Sequence, residues 1–199
     1  MARGKLTLDD IADLRAYERE REEFRAHIIE LKKCRRVAVG PVITLVFENA
    51  ETIRFQVQEM ARAERMLSDE AIQGELDTYN RLVPEAGQLS ATLFIELRSK
   101  DELMHWLPRL VGVERSVELH VGTHDPEVAR AVVDEDHAKR LTREEVAASV
   151  HYIRFQLTPA EIERFATEEV SVVINHPSYS ERAPLPQRAR ESLLGDLRP

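Results

Sequence analysis

Residues 89–97 read LSATLFIEL, and positions 89, 91, 93, 95 and 97 of this stretch are all apolar. Successive side chains of a strand point to opposite faces of a sheet, so this period of two predicts a strand with one buried face. Comparable strand patterns recur at residues 43–47, 53–57, 117–121, 150–157 and 170–174. The segments 43–47 and 53–57 flank the polar stretch 48–51, and together they predict a hairpin.

Helical patterns separate these strands. Apolar residues recur at helical spacing from Ile11 to Leu31, which predicts a long amphipathic helix over about residues 8–34. Further helices are predicted after the capping residues Ser68, Ser99 and Thr158. Because helices and strands follow no regular βαβ rhythm, we expect an α+β fold. It would have a mixed, mainly antiparallel sheet, with the long N-terminal helix and the other helices packed on one side.

Length and composition bound the domain organisation. The 199 residues predict one domain, in which residues 177–199 form a proline-rich C-terminal arm that packs loosely or against a partner. No apolar run approaches the roughly 20 residues of a membrane span, and the N-terminus lacks the apolar core of a signal peptide. The lone Cys34 excludes an internal disulfide, so we expect a cytoplasmic location.

Charge and motif content narrow the function classes. A net charge of −8 disfavours broad nucleic-acid binding, because phosphate contacts need a basic surface. The sequence has no glycine-rich phosphate loop, no G-x-S-x-G elbow and no H-E-x-x-H motif. One cysteine cannot hold a cysteine-ligated iron–sulfur cluster, which needs about four thiolates. We therefore predict no cofactor and favour a binding role over catalysis.

One group of residues has the composition of a metal site. His120, His124 and Asp125 lie together at the end of a predicted strand, with Glu127 and His137 downstream. Imidazole and carboxylate groups are common metal ligands, and strand alternation places His120 on the accessible face. A polar hairpin turn explains the same residues without a metal, so both interpretations stay open.

Two histidines are candidates for ligand binding or catalysis. His151 is in phase with Ile153 and Phe155, which places it on the core side of its strand. His176 follows Ile174 in the same phase, and it would lie near His151 if those two strands paired. A half-buried histidine has a tunable pKa, but a hydrogen-bonded histidine at the edge of a core shows the same pattern.

Five polar side chains span a predicted strand-to-helix junction. Arg54 and Gln56 lie on the polar face of the strand, and Gln58, Glu59 and Arg62 cluster at the start of the helix. Such junctions often carry binding residues, and the first turn of a helix can bind an anion or a peptide. The alternative is an ordinary solvated helix face with Glu–Arg pairs.

Several short segments of the sequence form a recognisable set: residues 32–37, 40–41, 52–56, 59–60, 64–65, 89–92, 151–155 and 176–177. Together these segments resemble one bacterial family, the domain of unknown function numbered 3501. The resemblance covers nearly the whole chain and implies a genomic context but no catalytic or binding residues. Members tend to be encoded beside a rubrerythrin-like di-iron protein and an iron–sulfur oxidoreductase of the heterodisulfide-reductase type.

Three functions are consistent with these observations. The first is an accessory or binding protein of a rubrerythrin and iron–sulfur oxidoreductase system, linked to oxidative stress or iron, with one of those proteins as its partner. The second is an enzyme of unknown class that uses a histidine-containing, metal-binding site. The third is a regulator that binds nucleic acid through the basic end of the N-terminal helix, at residues 32–36. The sequence leaves open whether the chain forms a homo-oligomer.

Overall fold

Two antiparallel sheets form the centre of the fold, and the predicted α+β class is confirmed. The computed structural model describes residues 4–133 and 146–198 of the chain. Within these residues the strands are β1 (Arg36–Val39), β2 (Ile43–Glu48), β3 (Gln88–Ile95), β4 (Val117–Val121), β5 (Glu127–Arg130), β6 (Val132–Val133), β7 (Val150–Gln156), β8 (Val170–His176) and β9 (Tyr179–Pro184). The first sheet has the order β1-β2-β3-β7-β6 and the second β5-β4-β8-β9.

The described part of the chain has six α-helices, and three of them begin after predicted capping residues. The helices are α1 (Leu14–Arg35), α2 (Ala50–Ala63), α3 (Asp69–Tyr79), α4 (Lys100–Trp106), α5 (Pro159–Thr167) and α6 (Gln187–Leu197). Side-chain oxygens of Ser68, Ser99 and Thr158 cap α3, α4 and α5. Helix α1 begins at Leu14 rather than near residue 8, because the Asp13 side chain accepts hydrogen bonds from two amides of its first turn. No helix in the described ranges has both the length and the apolar character needed to span a membrane.

The predicted hairpin strand at residues 53–57 is wrong, because these residues belong to α2. Asn49 starts the helix: its side chain accepts from the backbone amides of Glu51 and Thr52, and the Thr52 hydroxyl accepts from the Asn49 amide. Ile53, Val57 and Ala61 then repeat every four residues and are all buried. An alternation in polarity over only five residues is compatible with a strand or with a helix. Here the N-cap residue Asn49 favours the helix.

The main core joins side chains from both sheets. Leu45 and Leu93 of the first sheet belong to the same buried cluster as Leu119 and Val172 of the second. Each of these four side chains has no exposed surface. Strand β4 shows the predicted alternation, since it buries every second residue.

A second, smaller core lies on the opposite face of the first sheet. It contains Ile53 and Val57 of α2 and Leu76 of α3, with Tyr152 of β7 packed against it. The helices therefore cover the sheet face that the sequence pattern assigned to solvent. As a result every residue of β2 is buried, including the terminal Glu48.

The C-terminal segment, for which we expect loose packing or packing against a partner, packs on its own chain over the described residues 177–198. The strand predicted at 170–174 is followed by β9, which pairs with β8 from Ser171 to His176. Helix α6 then buries Ala189, Leu193 and Leu197, and the two leucines belong to the main core. Pro184 is the last residue of β9 and Pro186 is the N-cap of α6, positions where proline is tolerated.

Candidate functional site

An open cleft lies between the helix-covered face of the first sheet and helices α1, α2 and α3. It has a volume of about 190 Å³. Its polar lining residues are Lys32, Glu48, Thr52, Gln56 and Thr92. The remaining lining residues are Ile53, Tyr79, Leu82, Phe94, Val150 and Tyr152. We call this feature the Glu48 cleft.

Glu48 is the one acidic residue among the described lining residues, and it is 5% exposed. Its Oε1 atom accepts a hydrogen bond of 2.8 Å from the Thr92 hydroxyl. Its Oε2 atom is buried and has no hydrogen-bond partner in the described protein. The Lys32 ammonium lies 3.9 Å from Oε2, beyond hydrogen-bonding distance. The cleft therefore contains a half-satisfied carboxylate with a cation at its edge.

Local structure fixes the position of this carboxylate. Glu48 is the last residue of β2 and stands immediately before Asn49, the N-cap of α2. Its carbonyl oxygen accepts a hydrogen bond of 3.1 Å from the buried guanidinium of Arg35. Hydrogen bonds thus hold both the end of β2 and the N-cap of α2, so the backbone that carries the Glu48 side chain has little freedom to move.

Two tyrosines add aromatic surface and hydroxyl groups to the Glu48 cleft. Burial, with smaller contributions from the nearby Tyr79 and Glu48, raises the pKa of Tyr152 to about 12. The Tyr152 hydroxyl therefore keeps its proton at neutral pH and can act as a donor. The cleft combines a carboxylate acceptor, hydroxyl groups and apolar walls, which suits a small ligand with a polar end.

Four of the five residues predicted at the strand-to-helix junction instead connect α2 to α1 and the N-terminal segment. Arg54 donates to the carbonyl of residue 10 at 2.8 Å, and the Gln58 amide bonds both backbone groups of residue 12 at 3.0 and 2.8 Å. Arg62 pairs with Glu18. Gln56 differs from them, since it lines the Glu48 cleft.

Glu59 is the centre of the strongest of these connections. Both of its carboxylate oxygens accept from Arg21 at 2.8 Å, and Oε1 also accepts from the Tyr17 hydroxyl at 2.6 Å. The hydrogen bonds from Arg21, with a smaller contribution from Tyr17, hold the pKa of Glu59 at about 2. This group has every bond it needs within the protein, which indicates a structural role.

The predicted metal residues occupy separate positions at one end of the second sheet. His120 is half-buried, and its Nε2 atom lies 2.9 Å from an oxygen of Glu118. His124 and Asp125 are exposed in the turn that follows. His137 lies outside the described residues. Across residues 4–133 and 146–198, no group of three or more His, Cys, Asp or Glu side chains is arranged to hold a metal ion.

His151 is buried in the main core, on the face of β7 opposite to the Glu48 cleft. It is 2% exposed, and its Nε2 atom lies 2.8 Å from the carbonyl oxygen of Ala148. Its Nδ1 atom lies 3.7 Å from the buried carboxylate of Glu114. Burial lowers the pKa of His151, while the Glu114 charge opposes that shift. Burial and the contact with the Ala148 carbonyl oxygen thus hold this imidazole in the protein interior.

His176 does not lie beside His151 through strand pairing, because β8 belongs to the second sheet and β7 to the first. It is half-buried, with Nε2 at 3.2 Å from the carbonyl oxygen of Val111. Its Nδ1 atom accepts from the Ser178 amide at 3.2 Å, within the turn to β9. This arrangement stabilises the turn between β8 and β9.

The basic end of α1 is less accessible than the sequence suggested. Arg35 is 1% exposed and is bonded to two backbone carbonyl groups and to α6. Lys32 lines the Glu48 cleft. Lys33 and Arg36 are exposed, and they pair with Glu30 and Glu96. The four cations thus do not form one continuous surface for a phosphate backbone.

Sequence reasoning missed Glu48, Lys32, Thr92 and Tyr152. The pattern placed Glu48 and Thr92 on a solvent-facing strand surface, and no local signal shows that helices cover it. One clue was available in the spacing of Ile53, Val57 and Ala61, which fits a helix with an apolar face. The apolar face of such a helix must pack against another element, and the sheet face that carries Glu48 was the one that the strand pattern left uncovered.

Comparison with known proteins identifies relatives of this chain. It is similar to the crystal structure of a novel protein of unknown function from Burkholderia pseudomallei K96243, solved at 1.90 Å resolution. The two are 37% identical, the match covers 97% of this chain and 99% of that chain, and the TM-score is 0.87. No functionally curated protein matches. The model of the family described as "Protein of unknown function (DUF3501)" matches residues 5–197, and the chain therefore belongs to this family.

Proposed function

We propose that this protein is a binding protein, an accessory of a cytoplasmic redox system, and that the Glu48 cleft is its binding site. One observation carries the proposal: Glu48 is almost fully buried, yet its Oε2 atom lacks a hydrogen-bond partner within the described protein. Leaving a buried polar atom unpaired costs about 1–3 kcal/mol. Proteins break local rules of this kind mainly at functional sites, where a bound ligand supplies the missing interaction.

The partners we propose are a rubrerythrin-like di-iron protein and an iron–sulfur oxidoreductase. The genomic context implied by the family supports this choice. In such a system the present chain would supply binding rather than electron transfer, because its single cysteine cannot hold a cysteine-ligated cluster. A side chain of the partner would enter the open Glu48 cleft and complete the bonding of the carboxylate.

Isothermal titration of the purified protein against each partner tests this proposal. Glu48→Gln keeps the shape of the side chain and an oxygen for Thr92, but it removes the charge. We expect this variant to bind the correct partner about tenfold more weakly, the loss typical of one charge-assisted hydrogen bond. If neither protein binds wild type with a Kd below about 100 μM, both partner assignments are wrong.

Glu96→Gln is the matched control for this experiment. Glu96 also accepts a threonine hydroxyl at 2.8 Å, from Thr44, but it is exposed and does not line the cleft. Its replacement should leave partner binding unchanged. Equal weakening by both substitutions would indicate a general effect of charge and would contradict the assignment of the cleft.

A further inference from the structure

We propose that the Glu48 cleft binds a primary ammonium group, carried either by a small alkylamine or by a lysine side chain of a protein partner. This inference rests on the cleft being the binding site proposed above. Three features of the cleft indicate the chemical class of the entering group. They are the unpaired Oε2 atom of Glu48, the neighbouring Lys32 and the apolar and aromatic walls.

The free oxygen favours an ammonium over a guanidinium. Oε1 of Glu48 accepts from the Thr92 hydroxyl, so of the two carboxylate oxygens of this residue it is Oε2 that lacks a hydrogen-bond partner in the described protein. A guanidinium binds carboxylates best with two parallel N–H groups, one to each oxygen. An ammonium is a compact point charge with three donors, so it can bond a single carboxylate oxygen with one of them while the others face the open side of the cleft. A single open position therefore matches the ammonium.

Lys32 shows where such a group would sit. Its ammonium lies 3.9 Å from Oε2 of Glu48, so a cation already occupies the entrance without forming a hydrogen bond. The Lys32 side chain is 34% exposed, whereas that of Glu48 is 6% exposed. Lys32 can therefore turn toward solvent at little cost, and an incoming ammonium can take its place at hydrogen-bonding distance.

The walls of the cleft suit an alkyl chain that carries this charge. Phe94, Leu82 and Val150 supply apolar surface, and the rings of Tyr79 and Tyr152 supply aromatic faces. Aromatic rings attract cations and tolerate methylene groups beside them. Among the described lining residues Glu48 and Lys32 are the charged ones. Displacement of Lys32 would leave the carboxylate as the only lining charge.

An NMR titration of the full chain with n-butylammonium chloride tests the inference. The matched probes are n-butylguanidinium, sodium butyrate and n-butanol. We expect n-butylammonium to shift the backbone amide signals of Thr92 and Tyr152 in a saturable manner, and the other probes to bind at least about tenfold more weakly. Equal binding of n-butanol would show that only the apolar walls matter, and tighter binding of butyrate would assign the site to Lys32 and an anion. Either result would overturn the inference.

Two variants keep the test informative if the resident lysine competes with the probe. Lys32→Ala removes the competing ammonium, so it should tighten n-butylammonium binding severalfold. Glu48→Gln should abolish that binding in both backgrounds, while Glu96→Gln should leave it unchanged. If the amine binds neither wild type nor Lys32→Ala, or binds Glu48→Gln equally well, the inference fails.

A competition experiment distinguishes a lysine side chain from a free amine as the source of the ammonium. It also tests the accessory role and the ammonium class independently of each other. If n-butylammonium displaces a bound redox partner, and acetylation of the partner's lysines prevents binding, the group is a lysine side chain. If the amine binds but neither partner does, the ammonium site stands on a free ligand and the accessory role fails. If a partner binds through Glu48 but the amine neither binds nor competes, the accessory role stands and the ammonium class is overturned.

Discussion

The buried Arg35 and the partly buried Asp196 form an ion pair between residues that are 161 positions apart in the sequence. The Arg35 guanidinium also donates from Nε to the carbonyl oxygen of Phe47 at 2.8 Å, and it bonds the carbonyl of Glu48. Burial raises the pKa of Asp196, and the Arg35 charge opposes that shift. One side chain thus connects the end of α1, the end of β2 and α6, and it anchors the backbone of Glu48.

We predict that Asp196→Ala lowers the free energy of unfolding by about 3 kcal/mol, because it leaves the Arg35 charge buried without its counter-ion. Urea unfolding followed by circular dichroism measures this. The control is Glu163→Ala, which breaks the ion pair of Glu163, 76% exposed, with Arg198. That change should cost less than about 1 kcal/mol. A loss no larger for Asp196→Ala than for the control would show that α6 is held by its leucines alone.

The sequence predicted the fold class and most of the elements because their signals are local. Ser68, Ser99 and Thr158 cap helices as expected, and the alternation at residues 89–97 corresponds to β3. The site could not be predicted in the same way. Whether Glu48 faces water or a helix depends on α2 folding back over the sheet, which is a contact between distant segments. Gln56 lines the cleft, but as a helical residue and not as part of a strand.

The same error in secondary structure leads to a testable difference between two phenylalanines. Phe155 lies in the main core with no exposed surface, so Phe155→Ala should cost about 3–5 kcal/mol. Phe55 lies on α2, half-buried, with its ring edge against Phe24 at a centroid distance of 5.6 Å. Its truncation should cost about 1–2 kcal/mol, the value of a partly buried aromatic pair. Chemical denaturation of both variants compares them, and equal losses would contradict this placement of Phe55.

Glu59 should make stability depend on pH in the acid range. Its pKa is about 2 in the folded protein and 4.5 as the reference value for an unfolded chain. A depressed acid pKa contributes stability that is fully present above about pH 4.5 and is lost as the pH falls toward 2. Because the side chain is 27% exposed, we expect about 2 kcal/mol for this contribution.

The measurement is the difference in unfolding free energy between wild type and Glu59→Gln at pH 7, 5 and 3. We expect the difference to be largest at pH 7 and 5 and to shrink at pH 3. Glu22→Gln, an exposed position on α1, is the control and should show no such trend. A difference that stays constant across this range would mean that Arg21 and Tyr17 do not stabilise the charged form of Glu59.

Glu48 should be a residue whose replacement stabilises the protein. Its buried Oε2 atom lacks a hydrogen-bond partner in the described chain, and a neutral amide is cheaper to bury than a carboxylate. Glu48→Gln keeps an oxygen for the Thr92 hydroxyl and gives up only a 3.9 Å contact with the partly exposed Lys32. We therefore predict that Glu48→Gln raises the free energy of unfolding by about 1 kcal/mol.

Glu96→Gln provides the contrast, because the Glu96 carboxylate is fully bonded, to Thr44 and to Arg36. The free energy of unfolding of Glu96→Gln should be lower than that of wild type by up to about 1 kcal/mol. Urea unfolding at pH 7 compares the two substitutions on the same sheet face. Suppose instead that Glu48→Gln lowers the free energy of unfolding by more than about 1 kcal/mol and that Lys32→Met lowers it by as much. The carboxylate is then a structural partner of Lys32. Glu48 would then have no unmet bonding capacity, and the binding role of the cleft would lose its main support.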